Sequence, residues 1–274
     1  MAAAVATGDV LRVGQGLYAL ASVAGAEQLA LKARAVLFGR SAALAHGLGV
    51  LHPPELVEVA VPRGRRARAV PGTRVVTRLL LPCDLVARGA VQATSVVRTV
   101  LDCAAGLPFA EGLAIADSAL RLGRATPSQL RDAAREWVGR NRRAQQMVLA
   151  AMDGRAANAF ESGLRAACLE AGVVMEPQVT IGTEGGEYRV DLAKLKLLVA
   201  EADSFEWHGG RESLHRDCTR YNELVREGCT VLRFSWEHVM FERAWIGEVV
   251  SAVDRRLKLH KSEYKTGEIV PSAA

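Results

Sequence analysis

The stretch that decides the fold runs from Val190 to Phe234 and reads VDLAKLKLLVAEADSFEWHGGRESLHRDCTRYNELVREGCTVLRF. Within it, Leu195–Ala202 is almost entirely apolar, which predicts a strand that is buried on both faces of a sheet. Glu201 and Asp203 stand at the end of this strand, and because they are two residues apart they point to the same face. Buried carboxylates cost several kcal/mol, roughly, unless a cation compensates them.

A third carboxylate, Asp191, precedes this pair at the end of a shorter predicted strand. The cations nearest in sequence are Arg189, Lys194 and Lys196. Three converging carboxylates suit a hard divalent ion with oxygen ligands, and they suit zinc poorly. The sequence therefore predicts that Asp191, Glu201 and Asp203 meet at a site for Mg²⁺ or Mn²⁺.

Composition sets the broad class. A chain of 274 residues predicts one or two domains, and a hydrophobic content of 50% supplies a sizeable core. No apolar run has transmembrane length, and Met1–Thr7 lacks the pattern of a signal peptide, so no membrane partner is expected. The five cysteines show no CxxC spacing, which favours a reduced cytoplasmic protein over a zinc or disulfide framework.

Charge is distributed unevenly along the chain. Residues 1–154 hold 19 Lys and Arg against 11 Asp and Glu, whereas residues 155–274 hold 16 against 19. A basic first half would attract a polyanion such as DNA, although charge of this size also serves solubility alone. The loop PRGRRARAVPG at 62–72 concentrates this charge. Its arginines are Arg63, Arg65, Arg66 and Arg68. They either contact DNA phosphates without recognising the base sequence or are simply exposed to solvent.

The first half is predicted to be a mixed, mostly helical region. Asp9–Ala21 alternates around two glycines and predicts a β-hairpin, typical of the wing of a winged helix. The chain begins at this wing. Either the true start lies upstream, or the helices of the winged-helix fold that would recognise DNA sequence have been lost. Ser41 is predicted to cap a helix to Leu48, with His46 packed at its end. The other predicted elements are helices Ala24–Leu37, Ser95–Ala105 and Phe109–Leu122, a helix capped by Thr126 that carries the basic run Arg135–Arg143, and strands Leu56–Val61 and Arg74–Leu81.

The second half predicts the order α-β-β-β-α-β-α. Its first helix places Glu161 at the edge of an apolar stripe, and Pro177 marks an edge strand. Trp207 and Trp236 are interpreted as core residues, with stacking on a nucleobase as the alternative. The predicted elements are Ala156–Ala171, Val173–Ile181, Tyr188–Leu192, Leu195–Ala202, a helix Arg211–Glu227 with Leu214, Cys218, Tyr221, Leu224 and Val225 inside, a buried strand Thr230–Phe234, and a helix Phe241–Leu259.

The ordered set of residues in the second half resembles the PD-(D/E)XK nuclease superfamily, in particular its very-short-patch-repair (Vsr-like) branch and a related domain family. The resemblance covers residues 156–255. It is carried by Glu161, VDLA at 190–193, EAD at 201–203, WHG at 207–209, RDCTRYNEL at 216–224 and GCTVLRFSWEHV at 228–239. It implies a restriction-endonuclease-like mixed sheet flanked by helices at 155–260, before a disordered tail at 261–274.

The resemblance also implies roles for individual residues. Asp191 and Glu201 would bind Mg²⁺ and Glu161 a metal-bound water or a second ion. Asp203 occupies the position where the superfamily commonly has a lysine. The resemblance implies His208 as a general base, and a structural role beside Trp207 is the alternative. The residues that would neutralise or contact phosphate are Arg220, Arg216 and Arg211. From its residue type alone, Arg220 equally suits a salt bridge to Glu161 or Asp203.

The first half resembles the AbiEi-type antitoxin and transcriptional-regulator module. The residues that carry this resemblance are Gly16-Leu17-Tyr18, SAALAHGL at 41–48, VEVAVPRGR at 57–65 and SVVRTVLDCA at 95–104. The whole chain is therefore expected to be an α/β protein with an α+β region at 1–154 followed by the nuclease-like domain.

Two functions follow. The first is a Mg²⁺-dependent DNA endonuclease or nickase, and the second is a non-catalytic DNA-binding antitoxin or regulator. With either function, the sequence does not decide whether the protein binds a toxin partner or forms a homodimer.

Overall fold

A computed structural model describes residues 10–14, 17–20, 25–89, 91–203 and 211–266. The chain divides into two compact units, Met1–Gly154 and Arg155–Ala274. Each unit combines helices with a mixed sheet, so the predicted α/β class is confirmed. Among the described residues, no helix is both long and apolar enough to cross a bilayer.

The first unit contains a hairpin, a five-stranded sheet and six helices among its described residues. The strands are β1 (Val10–Gly14), β2 (Leu17–Leu20), β3 (Val36–Leu37), β4 (Val57–Pro62), β5 (Thr73–Arg78), β6 (Leu85–Arg88) and β7 (Val91–Thr94). The helices are α1 (Gly25–Ala33), α2 (Gly39–Ala45), α3 (Val96–Gly106), α4 (Phe109–Arg121), α5 (Pro127–Arg135) and α6 (Arg142–Ala151). The antiparallel pairing of β1 with β2 confirms the predicted hairpin.

The sheet of the first unit has the order β5-β4-β3-β7-β6. The predicted helix to Leu37 is wrong, because α1 ends at Ala33. Arg34 turns into the left-handed region at φ 53°, and Ala35 closes the helix by donating its N–H to Ala30 O at 3.0 Å. The apolar Val36 and Leu37 then enter the sheet as β3, between β4 and β7.

Two further predictions in the first unit need correction. Ser41 does not cap α2, which begins at Gly39. Its buried hydroxyl instead accepts the Glu58 N–H at 2.8 Å. The basic run Arg135–Arg143 is not on one helix, because α5 ends at Arg135 and α6 begins at Arg142. Its exposed Arg140 lies in the connection between them, in agreement with the interpretation of this stretch as a helix end or linker. His46 does end α2, with Nε2 2.7 Å from Thr94 O.

The capping residues of the later helices follow the sequence closely. Ser95 caps α3 and accepts the N–H of Arg98 at 3.3 Å. Thr126 forms a capping box with Gln129 at the start of α5, as the Thr-Pro-Ser-Gln pattern predicts. The helix start at Thr126 is predicted correctly because a capping box depends on only four consecutive residues.

The second unit has the predicted element order, with one extra short helix. Its elements are α7 (Ala159–Glu170), β8 (Glu176–Thr183), β9 (Gly186–Lys194), β10 (Leu198–Asp203), α8 (Arg211–Arg226), β11 (Thr230–Ser235), α9 (Trp236–Phe241) and α10 (Arg243–Thr266). The last helix extends beyond the predicted end at Leu259 and reaches Thr266. Part of the segment predicted as a disordered tail is therefore helical.

The sheet of the second unit has the order β11-β10-β9-β8, with β10 antiparallel to β9 and parallel to β11. Helices α7 and α10 cover one face, where the core residues include Leu164, Leu192, Leu198, Phe234 and Ile246. Strand β8 is an edge strand, as Pro177 predicts. The central position of β10 explains why its residues Leu198–Glu201 are all buried.

Several apolar residues of the second unit are more exposed than predicted. Leu195 is 73% exposed because it lies in the β9–β10 turn with φ 52°, so the buried strand begins at Leu198. Trp236 is 41% exposed, and β11 is an edge strand that is only half-buried. Helix α8 buries Leu224 fully but leaves exposed the predicted inner residues Leu214, Cys218 and Val225. Trp207 lies outside the described residues.

Candidate functional site

The centre of the candidate site is a pair of carboxyl groups on neighbouring strands, Asp191 on β9 and Glu201 on β10. The antiparallel register, in which Ala200 faces Leu192, places these two residues next to each other. Asp191 Oδ2 accepts the Ala202 N–H at 2.9 Å, and Asp191 is close enough to Glu201 to raise the pKa of that carboxyl group. The predicted meeting of Asp191 and Glu201 is therefore seen in the structure.

Arg220 of α8 provides the positive charge at this pair. Its Nη2 donates to Glu201 Oε1 at 2.6 Å and to the Arg189 carbonyl oxygen at 2.8 Å. Of the cations nearest in sequence, Lys194 does not serve this purpose, because its Nζ pairs with Asp254 Oδ1 at 2.6 Å. The ion pair expected for Arg220 is thus formed, but with Glu201 rather than with Glu161 or Asp203.

The protonation of this pair follows from its surroundings. The pKa of Glu201 is raised to about 8; burial is the largest cause, the neighbouring Asp191 adds to it, and Arg220 opposes both effects. Glu201 is 4% exposed, so water does little to stabilise a second charge. Glu201 therefore keeps its proton at neutral pH unless more positive charge is supplied beside it.

Asp203 is held apart from the pair by a different arginine. Arg233 Nε donates to Asp203 Oδ2 at 2.7 Å, and the guanidinium lies 4.1 Å from the ring centroid of Tyr221. Burial is the largest cause that raises the pKa of Tyr221 to about 12, and Asp203 and Glu201 add to it. The structure therefore gives Asp203 a structural ion pair, and within the described ranges no three His, Cys, Asp or Glu side chains form a metal-binding group.

Glu161 lies at the start of α7, in the first turn capped by Asn158. Its Oε2 accepts the Ala157 N–H and the Gln178 side-chain amide, each at 2.8 Å. Burial raises the pKa of Glu161; the Ala157 N–H opposes this, and the nearby Asp191 raises the pKa again. The predicted approach of Glu161 to Asp191 is thus present, although its oxygens already accept hydrogen bonds.

Gln178 reaches Glu161 because the backbone of β8 is irregular at this point. Gln178 has φ 55°, a left-handed conformation that is uncommon for a residue with a side chain. It falls between the Pro177–Leu192 and Val179–Val190 pairs of the sheet, opposite Asp191. A backbone outlier of this kind is retained only where the surroundings enforce it, and here it lies beside the carboxyl cluster.

The remaining predicted site residues are spread over both units. His208 and the side chain of Arg211 lie outside the described residues, and Arg216 is exposed on α8. The four loop arginines are all exposed, and none forms an ion pair with a described residue. They are Arg63, Arg65, Arg66 and Arg68.

Sequence reasoning missed the parts played by Arg233, Tyr221 and Gln178. The sequence did contain a signal for the ion pair of Arg233. This arginine lies within a strand expected to be buried, where a guanidinium needs a carboxylate partner. Parallel pairing of β10 with β11 sets Arg233 beside Glu201 and brings it within reach of Asp203. Gln178 gave no sequence signal, since its role depends on a left-handed backbone.

No protein-family model matches the chain. Uncharacterized protein Rv2248 of Mycobacterium tuberculosis (strain ATCC 25618 / H37Rv) is 37% identical to it over 144 residues, and uncharacterized protein MT2308 of strain CDC 1551 / Oshkosh gives the same values. Each alignment covers 51% of this chain and 53% of the relative, so the chain spans about half the length of the curated relatives it matches. The names of both relatives state no activity, so the chemistry of the site is inferred from its side chains.

Proposed function

We propose that the second unit is a Mg²⁺- or Mn²⁺-dependent endonuclease or nickase that hydrolyses phosphodiester bonds in DNA. The observation that supports this most is the contact of Asp191 and Glu201 on adjacent strands beside the arginine Arg220. Two adjacent carboxyl groups, one of them buried, with a single arginine in contact among the described residues are a suitable place for a divalent ion.

The residues at this site fit such an ion in their chemistry. Asp191 and Glu201 would hold it, since both offer carboxylate oxygens, and Glu161 lies close enough to Asp191 to affect it electrostatically. When bound, a divalent ion supplies positive charge to a scissile phosphate and lowers the pKa of a bound water. Arg220, released in part from Glu201, would then neutralise a phosphate oxygen.

The same proposal extends to the family and setting of the protein. We propose a relation of the second unit to the Vsr-like PD-(D/E)XK nucleases and of the first unit to AbiEi-type regulators, on the motifs given above. The exposed arginines of loop 62–72 would add sequence-independent affinity for the DNA backbone. Five free cysteines agree with a reducing cytoplasm as the place of action.

The second candidate function is a DNA-binding antitoxin or regulator without catalysis. It is favoured by the ion pairs of Arg220 with Glu201 and of Arg233 with Asp203, each of which already compensates a carboxylate of the site. Asp203, at the usual lysine position of the superfamily, also brings no positive charge to a transition state. In this case the buried charges maintain the fold and the DNA surface lies elsewhere.

The test is cleavage of supercoiled plasmid by the purified full-length chain with Mg²⁺ or Mn²⁺. Glu201→Gln removes a carboxylate that would bind the ion, and Glu176→Gln is the matched control, because Glu176 lies on β8 and makes a solvent-exposed ion pair. Calorimetric titration with Mn²⁺ measures metal binding independently of turnover. Circular dichroism of each variant shows whether the fold is retained.

The expected result is nicking that is lost with EDTA and in Glu201→Gln and is kept in Glu176→Gln, together with weaker Mn²⁺ binding in Glu201→Gln alone. Plasmid binding without cleavage or metal binding, unchanged in Glu201→Gln, would support the regulator instead. Cleavage that persists in Glu201→Gln would show that the activity does not arise at this site.

A further inference from the structure

A cleft of about 520 Å³ opens in the sheet of the first unit. Strand β3 begins only at Val36, whereas β4 continues past it to Pro62 and β7 starts at Val91. Among the described residues, no strand lies between these overhanging ends of β4 and β7, and the gap between them forms the cleft. Its apolar lining includes Leu31, Val36, Leu85 and Val91.

Arg34 stands at the edge of this cleft in an unusual backbone conformation. It occupies the position after α1 where the chain turns left-handed, with φ 53°, a position that glycine or asparagine usually fills. The side chain of Arg34 is exposed, and it has no ion-pair partner among the described residues. An arginine in this strained place is not explained by the stability of the turn, which suggests that the guanidinium itself is needed.

A second arginine approaches the cleft from the basic loop. Arg65 lines it directly after β4, and the loop is fastened over the end of α1 by the N–H of Arg68, which donates to Ala33 O at 3.2 Å. The guanidinium of Arg65 is also exposed and without a described carboxylate partner. Gln92 adds an amide that both donates and accepts hydrogen bonds.

We propose that this cleft binds a nucleoside phosphate, with the phosphate held by Arg34 and Arg65 and the base placed against the apolar lining beside Gln92. The volume falls within the usual range of small-molecule sites, from about 300 to 1,000 Å³. Two guanidiniums at one edge recognise phosphate oxygens, and an apolar floor with a single amide suits the flat body and polar edge of a base. The nucleotide is either free or an unpaired nucleotide within a strand. This binding does not depend on the nuclease proposed for the second unit.

The experiment measures binding of the full-length chain to the four ribonucleoside 5′-monophosphates, to adenosine, and to a single-stranded oligonucleotide by isothermal titration calorimetry. Arg34→Gly removes one guanidinium while it relieves the left-handed backbone, so this variant is expected to fold at least as stably as the parent. Arg65→Gln removes the other. Arg131→Gln on α5 is the charge-matched control, because it is exposed and does not line the cleft.

We expect Arg34→Gly and Arg65→Gln to weaken binding of a monophosphate by about tenfold or more, and Arg131→Gln by less than about twofold. Adenosine is expected to bind more weakly than its monophosphate. Tighter binding of the oligonucleotide than of the monophosphates, with the same loss in both variants, would identify an unpaired strand as the source, whereas the reverse order identifies a free nucleotide. The proposal is overturned if no probe binds, if adenosine binds as well as its monophosphate, or if Arg131→Gln loses as much affinity as Arg65→Gln.

Discussion

A single nitrogen of Arg220 joins Glu201 to the backbone of the neighbouring strand, because it donates to Glu201 Oε1 at 2.6 Å and to the Arg189 carbonyl oxygen at 2.8 Å. Helix α8 is thereby tied to the sheet at the point where Asp191 and Glu201 meet. The same guanidinium serves the stability of the unit and the electrostatics of the proposed active site.

Removal of this guanidinium is expected to destabilise the second unit. Arg220→Ala leaves the buried Glu201 and the adjacent Asp191 without the cation that contacts them, which should cost about 3 kcal/mol at pH 8 and less at pH 5, where Glu201 is protonated. Denaturant unfolding followed by tryptophan fluorescence measures this, since three of the four tryptophans lie after residue 154. Arg226→Ala, which breaks more exposed ion pairs, is the control and should cost less than about 1 kcal/mol. Equal losses in the two variants would contradict a special role for Arg220.

The raised pKa of Glu201 predicts how stability depends on pH. The folded state holds the proton up to about pH 8, whereas the unfolded chain releases it near its ordinary pKa. The stabilisation is fully present below the unfolded pKa and is lost as the pH rises through the folded pKa. Between pH 6 and pH 8 the free energy of unfolding should fall by on the order of 2 kcal/mol in the parent protein. Glu201→Gln cannot titrate and should show a flatter profile, and parallel profiles of the two proteins would argue against a raised pKa.

Arg98 in the first unit carries a comparable buried ion-pair network. Its Nε contacts Asp102 Oδ2 at 2.7 Å and its Nη1 contacts Asp84 Oδ2 at 2.9 Å, with the guanidinium 5.1 Å from the Trp137 ring centroid. Burial raises the pKa of Asp102 and Arg98 opposes this, so loss of the arginine leaves a buried carboxylate uncompensated. Arg98→Ala should lower the melting temperature markedly, with a cost of about 3–5 kcal/mol.

The control for this prediction is Arg135→Ala, because the ion pair of Arg135 with Asp132 is exposed on both sides. Its cost should stay below about 1 kcal/mol. A loss in Arg98→Ala as small as that of the control would mean that water replaces the guanidinium at Asp102.

The sequence predicts local structure well and long-range partners poorly. The Thr126 capping box, the edge strand marked by Pro177 and the neighbouring positions of Asp191 and Glu201 all follow from short-range patterns or from strand order. The partners of Glu201 and Asp203 do not, because an arginine on a later helix or strand reaches them only after the sheet has formed. For the same reason Lys194 looked like a site cation from its position in the chain, whereas folding carries it to Asp254.

Periodicity fails where the backbone departs from regular structure. The apolar run Leu195–Ala202 predicts one strand, yet Leu195 and Lys196 both adopt positive φ and form the turn before it. Similarly, Val36 and Leu37 extend an apolar pattern that reads as helix, although the left-handed Arg34 has already ended α1. At these turns the residues with positive φ are Arg34, Leu195 and Lys196 rather than glycine, so the sequence does not indicate the turn.

Close packing of α3 against α4 gives a further prediction, at Gly112. A Cβ there would lie 3.1 Å from Ala104 Cα and 3.3 Å from Val148 Cγ2, and a backbone atom cannot move aside cheaply. Gly112→Ala should therefore destabilise the first unit by about 1–3 kcal/mol, despite the helix propensity of about 1 kcal/mol that alanine gains. Gly106→Ala at the end of α3 meets no atom within 4 Å and should be neutral or stabilising in the same thermal unfolding experiment. A stabilised Gly112→Ala protein would mean that the two helices separate easily.

The irregular backbone of β8 also affects whether this edge of the sheet can pair with a strand of another molecule. An edge strand has unpaired backbone N–H and C=O groups that can form hydrogen bonds with a strand of another molecule. Long, flat edge strands therefore promote intermolecular sheets. At this edge Pro177 has no N–H to donate, and the left-handed Gln178 turns the backbone out of the plane that a fifth strand, from another molecule, would need. The residue that contacts Glu161 thus also makes this edge a poor template for an added strand, so one local distortion serves both the carboxyl cluster and the protection of the sheet edge.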